Sequence, residues 1–275
     1  MKGQLSQRLL ANIRQPAVLM SWYRYQRSRK PSQDVFLSSM PSSGTYWLRL
    51  MIGHAMVKAW ELPLSIDSIE IPDLIPSHRV KSQRFRFNDR REIPRIQHSH
   101  RGYERAHRGR RVILLVRDLR DALLSHWRIQ SDSGRFEGSL ASFIRQPRGQ
   151  RHTLDSRIDL FNDWGRAAAD GQQIHLVHFE SLRSEPEKAL QGVLDFIGMP
   201  VDDMLISETV AFGSRDNMAK LEAANPVRKA RGKAVKVRKG AVGGYREMMS
   251  SEDLQYIAAR TKQRLDWTAG YDYSS

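Results

Sequence analysis

Cysteine is absent from the 275 residues, which excludes disulfides, thiol nucleophiles and thiolate metal sites and fits a reducing compartment. Long apolar segments are absent as well: the chain has no run of about 18 apolar residues and no apolar secretory core near residue 1. No internal repeat is visible. These absences predict a soluble, cytoplasmic protein without a transmembrane segment, and the length predicts a single domain over residues 1–275.

Acidic residues are scarce in three segments, although the whole chain has a formal charge of +15. Residues 1–30 carry seven Lys and Arg, residues 79–111 carry twelve against three acids, and residues 226–246 carry eight. Such local basicity fits a nucleic-acid or membrane-surface protein, an enzyme with an anionic cofactor, or a solvated surface without a partner. The helical, basic segment 1–30 would rest on anionic lipid or pack on its own domain.

The stretch from Asp34 to His54 changes character within a few residues. Its apolar run, residues 35–37, indicates a buried strand; Pro41–Thr45 is a loop of small residues, and helical periodicity follows to Ala59. Strand, tight loop and helix direct backbone N–H groups and the helix dipole at one point, which favours an anion. The alternative is an ordinary turn between a strand and a helix. The Gly and Lys of a Walker A loop are missing, which disfavours nucleoside triphosphate hydrolysis.

Two further apolar runs, Arg111–Val116 and residues 173–179, predict central parallel strands. Helical periodicity follows over residues 122–130, 153–169 and 186–197. The alternation predicts a three-layer α/β/α fold around a central parallel sheet.

Polar side chains follow these strands where parallel sheets bind ligands. Arg117 directly follows one strand, and Ser125 lies two helical turns further on, so the pair suits a phosphate. His98 and His100 would share one face of a strand, as a metal-binding pair or as satisfied or surface histidines. Residues 131–152 are predicted to form a mobile lid, and residues 225–246 a basic loop with a close-approach Gly240.

Four sequence blocks occur in a specific order over about 210 residues: FLSSMPSSGTYW (36–47), QHSH (97–100), LLVRDLRDALLSHW (114–127) and RKGAVGGY (238–245). They resemble FLxSYPKSGTTW, KTH, VxRNPxDxxVSxY and RKGxxGDW of the sulfotransferases that use 3′-phosphoadenosine 5′-phosphosulfate (PAPS). The resemblance implies a P-loop-like nucleotide-binding fold, PAPS as the donor, 3′-phosphoadenosine 5′-phosphate (PAP) as its product, and no metal. It also implies a small-molecule acceptor with a hydroxyl or amine, no specific nucleic acid, and a homodimer as one expected assembly.

The resemblance also implies roles for individual residues. His100 would be the general base. The 5′-phosphosulfate would lie in a turn formed by Ser43, Gly44, Thr45 and Tyr46. The adenine would contact Trp47, Phe179, Ser214 and Arg215. The 3′-phosphate would contact Arg117, Ser125, Arg238, Lys239 and Gly240. Residues 225–246 would then cover the nucleotide.

Several positions depart from the family pattern. Ser42 and His98 replace two lysines at the catalytic centre, so these positions are predicted to be catalytic but altered. The substitute cation would be His98, Arg49, Arg95 or Arg101. Further departures are Phe179 for a tyrosine, Arg215 for an aromatic residue and Gly244 for an aspartate. The alternatives are a catalytically impaired homologue that binds PAP or PAPS, and a basic nucleic-acid-binding protein.

Overall fold

The computed structural model describes residues 34–65, 74–76, 87, 90–149, 152–224 and 240–274. Its centre is a parallel four-stranded sheet with the order β2-β1-β3-β4. The strands are β1 (Asp34–Ser39), β2 (Arg95–Ser99), β3 (Arg111–Val116) and β4 (Ile174–His178). Ser38 of β1 pairs with Ser99 and Leu114, and Val116 pairs with His178. The two central strands are buried on both faces, which explains their continuous apolar sequences.

Ten α-helices are described around this sheet. They are α1 (Thr45–Ala59), α2 (Leu119–Asp132), α3 (Leu140–Ile144), α4 (Leu154–Ala169), α5 (Phe179–Ser184), α6 (Pro186–Ile197), α7 (Asp203–Phe212), α8 (Arg215–Ala224), α9 (Tyr245–Met248) and α10 (Ser251–Arg264). A short 3₁₀ helix lies at Arg105–His107.

Alternate strand residues enter two separate apolar clusters. Phe36 and Leu114 pack with α2, α4 and α10 on one face of the sheet. Leu37 and Ile113 pack with α1, α6 and α7 on the other face. This two-residue alternation produces three layers, so the predicted α/β/α architecture is confirmed.

The helix after β3 begins earlier than the sequence periodicity indicates. It starts at Leu119, not at Ala122, because the Asp118 side chain accepts a hydrogen bond from Arg120 N and caps the first turn. The segment predicted as a lid, 131–152, is described apart from residues 150 and 151. Its helix α3 buries Phe143 and Ile144 in the core.

Two predicted features lie outside the described residues: the basic segment 1–30 and most of the basic loop 225–246. Within the described ranges, no helix combines the length and the apolar character needed to cross a membrane.

Candidate active site

The four strands end at one edge of the sheet because all of them run in the same direction. At this edge β1 leads into Met40 and the loop Pro41–Gly44, hereafter the phosphate loop. His100 follows β2, Arg117 follows β3 and Phe179 follows β4. The edge is where open parallel sheets bind ligands, and it brings together residues predicted from separate sequence blocks.

The phosphate loop makes a tight turn onto α1. Ser42 and Gly44 both have left-handed backbone angles, with φ of 69° and 88°. Ser43 N donates to Met40 O (3.2 Å), which closes the turn. Gly44 is the N-cap of α1 and offers no side-chain acceptor, so the backbone N–H groups of the first helical turn point toward the phosphate loop without a side-chain cap. The Ser43 hydroxyl is fully buried and has no hydrogen-bond partner.

Two arginines hold consecutive carbonyl groups of this loop. Arg157 Nη1 donates to Pro41 O at 2.7 Å, and Arg117 Nη1 donates to Ser42 O at 3.2 Å. Burial lowers the pKa of both guanidinium groups, and the nearby charge of Arg117 contributes to lowering the pKa of Arg157 to about 9. The loop is therefore backed by positive charge.

His100 is bound to the end of β1 through one ring nitrogen. Its Nδ1 lies 2.9 Å from Ser39 O and 3.0 Å from Ser39 Oγ; because a carbonyl oxygen only accepts, the contact with Ser39 O assigns the proton to Nδ1. In the neutral ring Nε2 is then the basic atom, the one that accepts a hydrogen bond. His98 Nε2 lies 3.3 Å from this atom, which fits a proton donated by His98. The predicted histidine pair is thus in direct contact beside the phosphate loop.

Ser42 contacts a third histidine. Its Oγ lies 3.2 Å from His126 Nδ1, while Gln130 Nε2 donates to His126 Nε2 at 3.3 Å. Burial, followed by the charge of Arg157, lowers the pKa of His126 to about 3. A neutral imidazole therefore faces Ser42.

The predicted adenine side is built from aromatic rings. The rings of Trp47 and Phe179 lie 6.1 Å apart in an edge arrangement, and the Arg183 guanidinium lies 6.0 Å from the Trp47 ring. Trp47 Nε1 is buried without a hydrogen-bond partner. A Cβ on Gly44 would lie 2.8 Å from Phe179 Cδ2, so only glycine allows this approach of ring and loop.

The described end of the basic loop 225–246, residues Gly240–Tyr245, hereafter the late loop, is bound to the same edge. Asp121 accepts from Gly243 N at 2.7 Å and from Tyr245 N at 3.1 Å. Arg117 Nη2 donates to Ala241 O at 2.8 Å, and its Cζ lies 4.2 Å from the Phe179 ring centre. Arg117 therefore joins the phosphate loop to the late loop.

Other predicted residues lie at varying distances from this centre. Ser125 is one helical turn beyond Asp121 on α2, half-buried on the same side of the helix. Ser214 follows Gly213, where an added Cβ would lie 3.0 Å from Trp47 Nε1. Arg215 is exposed and pairs with Asp216 at 3.4 Å. Arg238 and Lys239 lie outside the described residues, whereas Gly240 is described and approaches Phe179.

The three arginines predicted as substitute cations are engaged elsewhere. Arg95 begins β2 opposite Asp34, at the far edge of the sheet, so its prediction was wrong because strand direction separates it from His100. Arg49 Nη2 donates to Ile75 O at 2.7 Å. Arg101 is exposed and pairs with Glu104 at 3.0 Å. His98, the fourth predicted candidate, contacts His100 directly.

Sequence reasoning missed Arg157, His126 and Asp121. A signal existed for Arg157, because it lies in the buried stripe that Leu154, Ile158 and Phe161 form on α4. An arginine in such a stripe needs a buried acceptor or an anion.

Comparison with known proteins identifies the fold family. A family model described as "Sulfotransferase domain" matches residues 32–269. The chain belongs to the sulfotransferase family. Cytosolic sulfotransferase 13 of Arabidopsis thaliana is 21% identical over 88% of this chain and 80% of its own length. Cytosolic sulfotransferase 1 of the same plant is 23% identical over 74% of this chain and 70% of its own.

Solved structures share the fold of this sulfotransferase domain. Mouse sulfotransferase SULT7A1, complexed with PAP, has a TM-score of 0.60 at 18% identity and covers 86% of this chain and 85% of its own. Retinol dehydratase in complex with androsterone and PAP has a TM-score of 0.62 at 14% identity, covering 89% and 84%.

Buried polar atoms of this sulfotransferase test whether the site suits an anionic nucleotide. Four buried atoms without hydrogen-bond partners surround the phosphate loop: Ser43 Oγ, Trp47 Nε1, Arg117 Nε and Arg157 Nη2. Unsatisfied buried polar groups are costly, and all four can donate a hydrogen bond. The residues present therefore fit an anionic ligand with an aromatic portion.

Proposed function

We propose that this sulfotransferase domain transfers a sulfuryl group from PAPS to a hydroxyl or amine of a small-molecule acceptor, with His100 as the general base. The observation that carries the proposal is the position of the His100 ring, whose Nδ1 lies 2.9 Å from Ser39 O and whose Nε2 lies 3.3 Å from His98 Nε2, beside the phosphate loop. Family membership supports the reaction class, and the PAP in SULT7A1 and retinol dehydratase supports the cofactor.

The donor side would be held by the features already described. Ser43, Gly44, Thr45 and the first turn of α1 would bind the 5′-phosphosulfate, and Trp47 and Phe179 would contact the adenine. Arg117 and Ser125 would bind the 3′-phosphate, together with the late loop. When bound, PAPS supplies the sulfuryl group and leaves as PAP, so the acceptor gains a bond to sulfur as the bond to the PAP phosphate breaks.

The chain's own part in the transfer is the handling of one proton and of developing charge. His100 Nε2 takes the proton of the acceptor O–H or N–H group, and the imidazolium that forms is stabilised through Nδ1 by Ser39 O. Loop N–H groups meet the negative charge that develops on oxygen. His98 would orient His100 before the acceptor arrives.

The acceptor class and the location of the protein are part of the same proposal. Retinol and androsterone, named in the retinol dehydratase structures, are small molecules. The curated relatives are named cytosolic, which supports a cytoplasmic location.

The test separates binding from turnover. We expect PAP to raise the melting temperature of wild type and of His100→Ala equally, since a ligand of the folded state stabilises it by mass action. With radiolabelled PAPS and a broad panel of phenols, alcohols and amines, His100→Ala should lose about 10²–10⁴ of the wild-type rate. His175→Gln is the matched control, because His175 stacks on Phe196 away from the phosphate loop, and it should keep full turnover.

Three outcomes would contradict parts of this proposal. Full turnover of His100→Ala would exclude His100 as the base. If His98→Ala lost turnover instead, the role would belong to His98. A wild type stabilised by PAP but inactive with every acceptor would favour a binding-only homologue. A wild type whose melting temperature does not respond to PAP would contradict PAPS as the donor.

A further inference from the structure

Arg157 is an arginine buried under the phosphate loop. It projects from the apolar face of α4 and is only 1% exposed. Its Nη1 donates to Pro41 O at 2.7 Å, and its Nε donates to His152 O at 3.2 Å. Its Nη2 is buried and has no hydrogen-bond partner. One face of the guanidinium group is therefore committed to the loop, while another donor is unsatisfied.

Among the described residues, no carboxylate balances the charge of Arg157. Asp155, two residues earlier, is bound through both oxygens by Arg260, each at 3.0 Å. Arg157 makes no ion pair with any residue in the described part of the chain, and the charge that acts on it most is the like charge of Arg117. A buried charge without a partner is costly, so the arrangement is favourable only when an anion lies nearby.

We propose that Arg157 supplies the fixed positive charge for the anion at the phosphate loop, in place of the lysine that Ser42 replaces. This inference rests on the proposed function, since the anion would be the 5′-phosphate end of the nucleotide. Arg157 is a positioning residue: it acts through the peptide unit between Pro41 and Ser42. A guanidinium at the carbonyl oxygen of this unit polarises it and makes the Ser42 N–H a stronger donor.

Other basic groups near the loop are less suited to this role. Arg117 holds the next carbonyl, Ser42 O, and also Ala241 O. His126 contacts the Ser42 side chain, but its ring is neutral at pH 7. Arg117 also has a buried unsatisfied donor, Nε, but its Nη2 lies 3.9 Å from the Asp121 carboxylate, whereas Arg157 has no carboxylate partner among the described residues.

The test uses three nucleotides that separate the two phosphates: PAP, adenosine 5′-monophosphate and adenosine 3′-monophosphate. Arg157→Met keeps the length of the side chain and removes its charge, and binding is followed by calorimetry and thermal shift. We expect PAP and the 5′-monophosphate to bind at least about tenfold more weakly, since a hydrogen bond to a charged group is worth at least this factor. Affinity for the 3′-monophosphate should change less than about twofold.

Arg110→Met is the matched control. Arg110 is also buried (6% exposed) and donates to a backbone carbonyl, Ala106 O, but it precedes β3 at the opposite edge of the sheet. It should leave all three affinities unchanged. Without nucleotide, Arg157→Met should be as stable as wild type or more stable, because an unbalanced charge is removed.

Equal weakening of all three nucleotides by Arg157→Met would show a structural role and overturn the inference, as would unchanged binding of PAP. If Arg157→Met does not fold, Arg157→Lys provides the same comparison: it keeps the charge and should weaken only the two 5′-phosphate ligands, by a few fold. Equal weakening of all three nucleotides by Arg157→Lys would also refute the role. A wild type without a PAP response would overturn the proposed function together with this inference.

Discussion

Gly44→Ala tests how closely the phosphate loop must approach Phe179. Gly44 has φ of +88°, and an added Cβ would lie 2.8 Å from Phe179 Cδ2 and 3.0 Å from Cε2. Phe179 is 4% exposed and is also the ring over which Arg117 lies, so it cannot move without disturbing that arginine. The substitution therefore has two separate costs, one in the backbone and one in packing.

The backbone cost is that of placing alanine in a left-handed conformation, about 1–2 kcal/mol. The packing cost is that of overfilling a close contact, about 1–3 kcal/mol. Together they predict that Gly44→Ala lowers the free energy of unfolding by about 2–5 kcal/mol. Nucleotide binding should weaken as well, because the loop and the ring both belong to the proposed site.

Gly134→Ala measures the backbone cost alone, so the difference between the two variants gives the packing cost. Gly134 has φ of +64°, but nothing lies within 4 Å of its added Cβ, so only the backbone cost applies. Urea denaturation of wild type and both variants at pH 7 gives the two free-energy changes. If Gly44→Ala cost no more than Gly134→Ala, the contact with Phe179 would not limit the loop, and the argument for a glycine cradle would be refuted.

Two further predictions concern stability. Burial lowers the pKa of His54 to about 4 from its ordinary 6.5, so on acidification His54 of the unfolded chain takes up a proton before His54 of the folded chain. The contribution of His54 to the free energy of unfolding should be fully retained above about pH 6.5. It should fall between pH 6.5 and pH 4, by at most about 3 kcal/mol. Urea denaturation at pH 7 and pH 5 should show a smaller loss for His54→Gln, and an identical loss would contradict the assignment. Asp155→Ala should lower the free energy of unfolding by about 1–3 kcal/mol, because it removes the carboxylate that binds Arg260 through both oxygens and links α4 to α10. Asp163→Ala breaks an exposed pair with Arg166 and should cost less than about 1 kcal/mol, so equal losses in the two variants would show that burial of Asp155 is unimportant.

Much of the fold was predictable because its signals are local. The apolar runs of β1 and β3 identify strands buried on both faces, and α6 was predicted with its bounds, Pro186–Ile197, since a proline begins it and Gly198 ends it with φ of 73°. The start of α2 was missed because its cap, Asp118, stands within a run of charged residues where periodicity is weak.

The site was predicted only where a residue and its role lie in one sequence block. His100 and Arg117 directly follow strands, so their place at the sheet edge could be inferred. Arg157 could not be assigned to the loop in this way, because its contact with Pro41 O spans 116 residues. Arg95 was misplaced for the opposite reason: it is near His100 in sequence, but a strand carries it to the other end of the sheet.

The order in which the chain is synthesised has a consequence for the phosphate loop. The loop belongs to the first described strand and helix, yet Ser42 O and Pro41 O are held by side chains 75 and 116 residues later. Arg117 in turn is bound by Ala241 O, a further 124 residues along. Contacts of such sequence separation form late and slow folding. The segment that emerges early from the ribosome is therefore completed last, so a nascent chain acquires the capacity to hold an anion only after residues of the late loop have been made.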